Sequence, residues 1–112
     1  MNGEGTYLFK NSDVYSGSIL KGLKHGRGKY EHWNGNIYEG DWTYDLKNGY
    51  GRYDYFNKGD SYVGEFVNNM REGRGEYKWK NGSRYEGNFL QGYKQGSGIA
   101  YLEDGTKVEG YW

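Results

Sequence analysis

A Gly-x-Gly pair returns about once every 23 residues, and no other feature of the chain constrains its fold as much. It stands at Gly3/Gly5, Gly26/Gly28, Gly49/Gly51, Gly73/Gly75 and Gly96/Gly98, in steps of 23, 23, 24 and 23 residues. A period of this size marks a repeat architecture, in which each unit buries its apolar face against its neighbours. Other positions follow in register. Tyr7, Tyr30, Tyr53, Tyr77 and Ala100 come four residues after the first glycine of each pair. A turn glycine follows at Gly35, Gly59, Gly82 and Gly105, with Ser12 in its place in the first unit. Next come Tyr15, Tyr38, Tyr62, Tyr85 and Val108, then Gly17, Gly40, Gly64, Gly87 and Gly110, then Ile19, Trp42, Phe66, Phe89 and Trp112. The frame places 19 of the 21 glycines and divides the chain into units 3–25, 26–48, 49–72, 73–95 and 96–112. The extra residue of the third unit falls between Tyr53 and Gly59, at a turn, where insertions are tolerated.

Within a unit the marked residues sit at i, i+2 and i+4, which is the period of a β-strand. Asn34-Gly35, Asn81-Gly82 and Asp104-Gly105 are hairpin signals between such runs, because these residues tolerate positive φ. Each unit is therefore a β-hairpin. The predicted fold is all-β: one elongated antiparallel meander of about ten short strands. Glycine and aromatic residues share one face of each strand, so a ring from one strand can cover the bare backbone of the next. The opposite face is polar, with Arg27, Lys29, Glu31, Ile37, Glu39 and Asp41 in one hairpin and Arg74, Glu76, Lys78, Arg84, Glu86 and Asn88 in another. A single sheet has no second layer, so its aromatic face is expected to be only partly buried unless the sheet curls or a partner covers it.

Composition narrows the function. Aromatic residues make up 20% of the chain, too many for a disordered glycine-rich segment. Lys and Arg number 15 and Asp and Glu 15, so net charge gives no reason to expect nucleic acid. No apolar run is long enough to span a bilayer and no signal-peptide core is visible. Cysteine is absent, which fits a cytoplasmic protein and leaves no thiolate metal site. His25 and His32, read as lying in a loop and a strand, are too few to suggest a metal centre. No Ser/His/Asp set or pair of carboxylates stands out for catalysis. Each Gly-x-Gly is followed by a strand, whereas a nucleotide loop needs a helix. No enzyme activity, cofactor or metal is expected.

The run Tyr38-Glu39-Gly40-Asp41-Trp42, followed by Lys47-Asn48-Gly49-Tyr50-Gly51, resembles the MORN repeat (membrane occupation and recognition nexus). Tyr85-Glu86-Gly87-Asn88-Phe89 with Lys94-Gln95-Gly96-Ser97-Gly98 is similar, as is Lys24-His25-Gly26-Arg27-Gly28. The departures, Ser12, Ile19, Ala100 and Val108, cluster in the outer units. The resemblance implies an elongated single sheet with a groove. It also implies a scaffold linked to cytoskeleton and membrane organisation, which binds a partner's helix or peptide or a second copy. Asn2-Gly3-Glu4-Gly5 is already in register, and the chain stops at Trp112 in mid-unit without a polar cap. Arrays need capping units, so the expectation is a stretch of a longer scaffold, with end strands open to edge pairing.

Two sets of residues are candidate sites. The first is a partner groove of Tyr15, Tyr30, Tyr38, Trp42, Tyr53, Tyr62, Phe66, Tyr77, Tyr85 and Phe89, because Tyr and Trp offer large area at low entropic cost and a polar tip. Tyr7, Phe9, Tyr55, Trp79 and Trp112 share that face. The second set is basic. Lys24, Lys47, Arg71 and Lys94 each precede a Gly-x-Gly by two residues, at a step of about 10 Å. With Arg74, Lys78, Lys80 and Arg84 they are candidates for an anionic ligand or membrane lipid. The bland reading of the basic column is a row of solvated loop residues. Peripheral membrane or phosphoinositide binding is the alternative function, and carbohydrate binding by aromatic hairpins is a third.

Overall fold

The computed structural model describes residues 3–112, so Asn2, counted above in the first motif, lies outside the described residues. Ten strands follow one another: β1 (Gly3–Leu8), β2 (Val14–Leu20), β3 (Leu23–Glu31), β4 (Ile37–Thr43), β5 (Leu46–Tyr55), β6 (Asp60–Val67), β7 (Met70–Lys78), β8 (Arg84–Leu90), β9 (Tyr93–Tyr101) and β10 (Lys107–Tyr111). They pair in chain order as one antiparallel sheet, the meander the spacing predicts. The molecule measures 49 × 24 × 17 Å. Nine strand spacings account for about 43 Å of the long axis. The radius of gyration is 15.5 Å, against about 13 Å for a compact domain of this length.

The register explains the glycines. Gly5, Gly17, Gly28, Gly40, Gly51, Gly64, Gly75, Gly87, Gly98 and Gly110 stand directly opposite one another from strand to strand. One glycine from each strand leaves a bare trough across the whole sheet. The rings of Tyr15, Tyr38, Tyr62 and Tyr85 lie in it, fully buried at 0% exposure. A Cβ on Gly51 would stand 2.5 Å from the Tyr38 hydroxyl, so the second glycine of that motif is required for space. The first, Gly49, is required for conformation, with φ at +114°.

Gly49 also sits in a bulge. Between Gly40↔Gly51 and Trp42↔Lys47, β4 supplies one residue and β5 three. The ladder is interrupted there, and local groups fill the gap. The Tyr38 hydroxyl donates to the Asp41 carbonyl at 2.7 Å, and Asp41 Oδ2 accepts the Tyr50 N–H at 3.0 Å. The same hydroxyl contact recurs from Tyr15 to Ser18, Tyr62 to Glu65 and Tyr85 to Asn88.

The core is a herringbone of rings. Tyr15, Trp42, Tyr38, Phe66, Tyr62, Phe89, Tyr85 and Trp112 meet in succession, edge to face, at centroid distances of 4.9–5.7 Å and interplanar angles of 82–90°. Aromatic pairs of this geometry add about 0.5–1.5 kcal/mol each beyond the area they bury. A single sheet thus builds a core within one layer, without curling into a barrel. The expectation that the whole aromatic face stays only partly buried is corrected on this point.

The turns also differ from expectation. The tight two-residue turns are Lys21-Gly22, Tyr44-Asp45, Asn68-Asn69 and Gln91-Gly92, with positive φ at both positions, as in a type I′ turn. The Asn34-Gly35 signal marks a wider loop, in which Gly35 N–H donates to the His32 carbonyl and His32 N–H to the Asn36 carbonyl. Side chains tie the first four wide loops to one another. Asp13 accepts the Trp33 N–H, Asn36 the Phe56 N–H and Asp60 the Lys80 N–H, at 2.8–3.0 Å. The extra residue of the third unit lies in the 56–59 loop, as read from the sequence.

Candidate functional site

The aromatic face divides into covered and open rings. The four trough tyrosines, with Trp42, Phe66, Tyr77 and Phe89, are at most 7% exposed and form the core. They offer a partner resting on the folded sheet little area, so eight of the ten groove candidates serve first as core, with Phe66, Tyr77 and Phe89 also showing an edge in the clefts beside them. Tyr30 and Tyr53 remain half-buried and reachable. Beside them stand Tyr7, Tyr55 and Trp79, also half-buried, and Phe9, which is exposed. They belong to the pairs Tyr7-x-Phe9, Tyr30-x-His32, Tyr53-x-Tyr55 and Tyr77-x-Trp79 at the ends of the odd strands. Ring contacts at 4.5–6.3 Å run along this row, tilted in Tyr53–Tyr55, Tyr55–Tyr77 and Tyr77–Trp79 and edge to face in Tyr7–Phe9. The alternation placed these rings on the correct face. It could not say which would be covered.

Acidic groups hold part of the row. Asp13 Oδ2 accepts the Tyr30 hydroxyl at 2.7 Å, and Asp60 Oδ2 the Tyr77 hydroxyl at 2.7 Å. Burial tends to raise the Asp13 pKa. The hydrogen bonds from Tyr30, Trp33 and Asn11, with the charge of His32, outweigh it and hold the carboxyl below its usual range. The phenols move the other way. Burial first, then the bond to Asp13 and its charge, push Tyr30 up to about 12. Burial, with Glu4 and Asp45 adding, pushes Tyr15 up to about 12. Burial raises Tyr38, Tyr62 and Tyr77 as well.

The basic column lies in strands, on this same face, so the loop reading is corrected; Lys24, Lys47 and Arg71 are half-buried there, while Lys94 is exposed. Lys24 pairs across the ladder with Ile19, Lys47 with Trp42, Arg71 with Phe66 and Lys94 with Phe89. Their charges sit over rings. Lys24 Nζ is 5.1 Å from Trp42 and 5.4 Å from Tyr30, Lys47 Nζ 5.6 Å from Tyr38 and Tyr53. Arg71 Cζ is 5.0 Å from Tyr77, and Lys94 Nζ 5.0 Å from Trp79. Burial, then the charge of Lys24, lower the Lys47 pKa.

The rest of the basic set is elsewhere. Arg84 lies on the opposite face, bonded to both Glu76 and Glu86 and stacked 3.9 Å over Tyr101. Arg74 and Lys78 occupy that same polar face, in register with Asn88 and Arg84. Lys80 sits in the loop that Asp60 ties down. The structure therefore does not bring Arg74, Lys78, Lys80 and Arg84 together with the column. His25 lies in β3 and His32 in the loop after it, the reverse of the reading above. His25 Nδ1 accepts the Tyr44 N–H at 3.1 Å, and His32 stacks on Tyr30 at 4.7 Å.

Sequence reasoning missed one surface. Leu20↔Leu23, Thr43↔Leu46, Val67↔Met70 and Leu90↔Tyr93 flank the tight turns and form an apolar strip along one long edge. Leu46, Val67, Met70, Leu90 and Tyr93 are exposed. Apolar pairs on both sides of a two-residue gap are the signal that would have located it.

A one-layer sheet of glycine–aromatic hairpins with one aromatic face defines a β-hairpin repeat module. The MORN repeat family matches residues 1–14, 15–36, 38–59, 62–84 and 85–107, and the chain belongs to that family, a generally non-catalytic type of repeat module. The family's units from the second onward open at or next to a tyrosine of the Tyr-x-Gly-x-aromatic run, so they share the period read from Gly-x-Gly at a different phase. No curated protein matches the chain.

Proposed function

We propose that this MORN array is a non-catalytic scaffold that binds a partner protein segment, or a second copy of itself, along the groove of its aromatic face. The observation that carries this reading is the open row beside the covered spine. Tyr30, Tyr53, Tyr55 and Trp79 span three successive hairpins and keep surface free after the core is satisfied. The indole N–H of Trp79 has no partner among the described residues and offers a polar handle. The family supports scaffolding, and with it a place in cytoskeletal or membrane organisation.

The test is partner capture by the array and by a Tyr53→Ala/Trp79→Ala double variant whose fold is checked by circular dichroism. The reading expects the variant to lose the captured proteins. Unchanged recovery with the fold intact would refute it. The membrane reading is the weaker one, because its basic residues divide between two faces and cannot meet one flat surface together.

A further inference from the structure

The cations of this molecule are satisfied unevenly. On the polar face Arg27, Lys29, Arg52 and Arg84 each hold a carboxylate within 3.6 Å, and Lys24 holds Asp45 at 3.2 Å. Lys78 and Lys80 have none and stand in open water. Lys47 and Arg71 have none either, yet they are half-buried among rings. Arg71 donates only to the Gly92 carbonyl, while the ammonium groups of Lys47 and Lys94 make no hydrogen bond or ion pair among the described residues. A half-buried cation without a counter-charge is costly, and ring faces return only part of that cost.

Two clefts frame these cations, one hairpin apart. The first, about 290 Å³, is lined by Lys47, Arg71, Tyr53 and Tyr55. The second, about 230 Å³, is lined by Arg71, Lys94, Tyr77 and Trp79. Each cleft offers two cations and a pair of rings. The step between them is two strand spacings, about 10 Å. A β-strand cannot match it on one side, since residues three apart point to opposite faces. A polyproline II segment can, with every third residue on one side at about 9.3 Å. An α-helix can, with every seventh residue at about 10.5 Å.

We propose that Lys47, Arg71 and Lys94 receive an acidic protein segment that presents one carboxylate per roughly 10 Å along one side, with its apolar residues on the intervening rings. This deepens the scaffold reading and rests on it.

Fluorescence anisotropy with labelled peptides tests it. The probes are a Glu-Pro-Pro repeat and an alanine-rich helix with Glu at every seventh position. Each is compared with an isomer of the same composition whose glutamates are clustered. At least one periodic peptide is expected to bind about tenfold tighter than its isomer. Lys47→Gln/Lys94→Gln should weaken that binding by at least roughly tenfold, the scale of one charge-assisted hydrogen bond. Lys47→Arg/Lys94→Arg should retain it. Equal binding of periodic and clustered peptides overturns the proposal, as does an unaffected Gln variant that still folds. Binding to phosphatidylserine vesicles without peptide binding overturns it in favour of lipid. If partner capture still depends on Tyr53 and Trp79 while no periodic peptide is preferred, the scaffold stands and this ligand chemistry falls.

Discussion

Tyr38 and Tyr53 stand opposite each other in the β4–β5 ladder, on the same face, each two residues from a glycine. One is at 0% exposure and the other half-buried. The same contrast runs between the even-strand row, Tyr15, Tyr38, Tyr62 and Tyr85, and Tyr7, Tyr30 and Tyr53 of the odd strands, while Tyr77, the next odd-strand tyrosine, is covered by Tyr55 and Trp79 and bonded to Asp60. The even-strand tyrosine precedes a bulge that frees a carbonyl for its hydroxyl, and its ring drops over a neighbouring glycine. The odd-strand tyrosine has no such bed and stays at the surface, where Asp13 or Asn36 meets its hydroxyl. Between Tyr38 and Tyr53 residue type and pleat position are equal, so the bulge decides which of the two becomes core and which stays available.

Removing the ring is the strongest way to break that contrast. Tyr38→Ala is expected to cost about 3–5 kcal/mol, as for other large buried aromatics. Gly51→Ala, which puts a methyl where that ring lies, should be comparably harmful. Tyr53→Ala should cost less than half as much. Denaturant unfolding measures all three, and equal costs for Tyr38 and Tyr53 would abolish the distinction. Because stability in an array is nearest-neighbour, Tyr38→Ala should also broaden the transition.

Alkaline pH probes the same rows together. The folded pKa values of Tyr15 and Tyr30 are raised to about 12, and those of Tyr38, Tyr62 and Tyr77 are raised as well. For a raised phenol the stabilisation is complete below the unfolded value near 10 and is lost as pH climbs above it. These five rings are therefore expected to ionise only together with unfolding above about pH 10, which residue-resolved NMR of the tyrosine rings can follow beside circular dichroism. Ionisation of Tyr38 or Tyr62 in a still-folded array at that pH would contradict the burial.

Hydroxyl deletion should reverse the order of the rows. Tyr30→Phe takes a bond from the buried Asp13 carboxylate and is expected to cost about 1.5–3 kcal/mol, whereas Tyr38→Phe loses a bond to a neutral carbonyl, worth about 1 kcal/mol. Chemical denaturation of the two variants gives the comparison. The smallest effect is acidic. The Asp13 pKa is depressed, so its contribution is present above about pH 4 and fades as pH falls through the folded value. Asp13→Asn should flatten the acid limb of the stability–pH curve.

Much of this architecture was legible beforehand. The return of Gly-x-Gly, the alternation around Tyr38-Gly40-Trp42 and the length of the units implied ten antiparallel strands in chain order. The Asn34-Gly35 signal located a chain reversal but not its width. The Tyr44-Asp45 turn was invisible to a rule that looks for glycine, because its conformation is imposed by the flanking strands. The site was less legible. Lys47 and Arg71 looked like loop residues from their place before a glycine pair, until the bulge put them in strands facing the rings. Lys94 and Arg84 looked like members of one patch, although pleating sends them to opposite faces.

By itself the sequence determined what covalent geometry and periodicity control. Residues two apart share a face, a 23-residue repeat stacks like on like, and a glycine on every strand leaves a continuous bare trough. Tertiary structure alone decided which rings fill that trough, because the burial of Tyr38 needs Gly51 beneath it and Trp42 and Phe66 on either side. It alone placed the Gly-x-Gly cations on the aromatic face. Both outcomes depend on bulges and on neighbouring hairpins in contact, which no single unit of the sequence contains. The Gly-x-Gly pair thus names the repeat, while the contact between repeats makes one of its glycines a hinge of the backbone and the other the floor under a tyrosine.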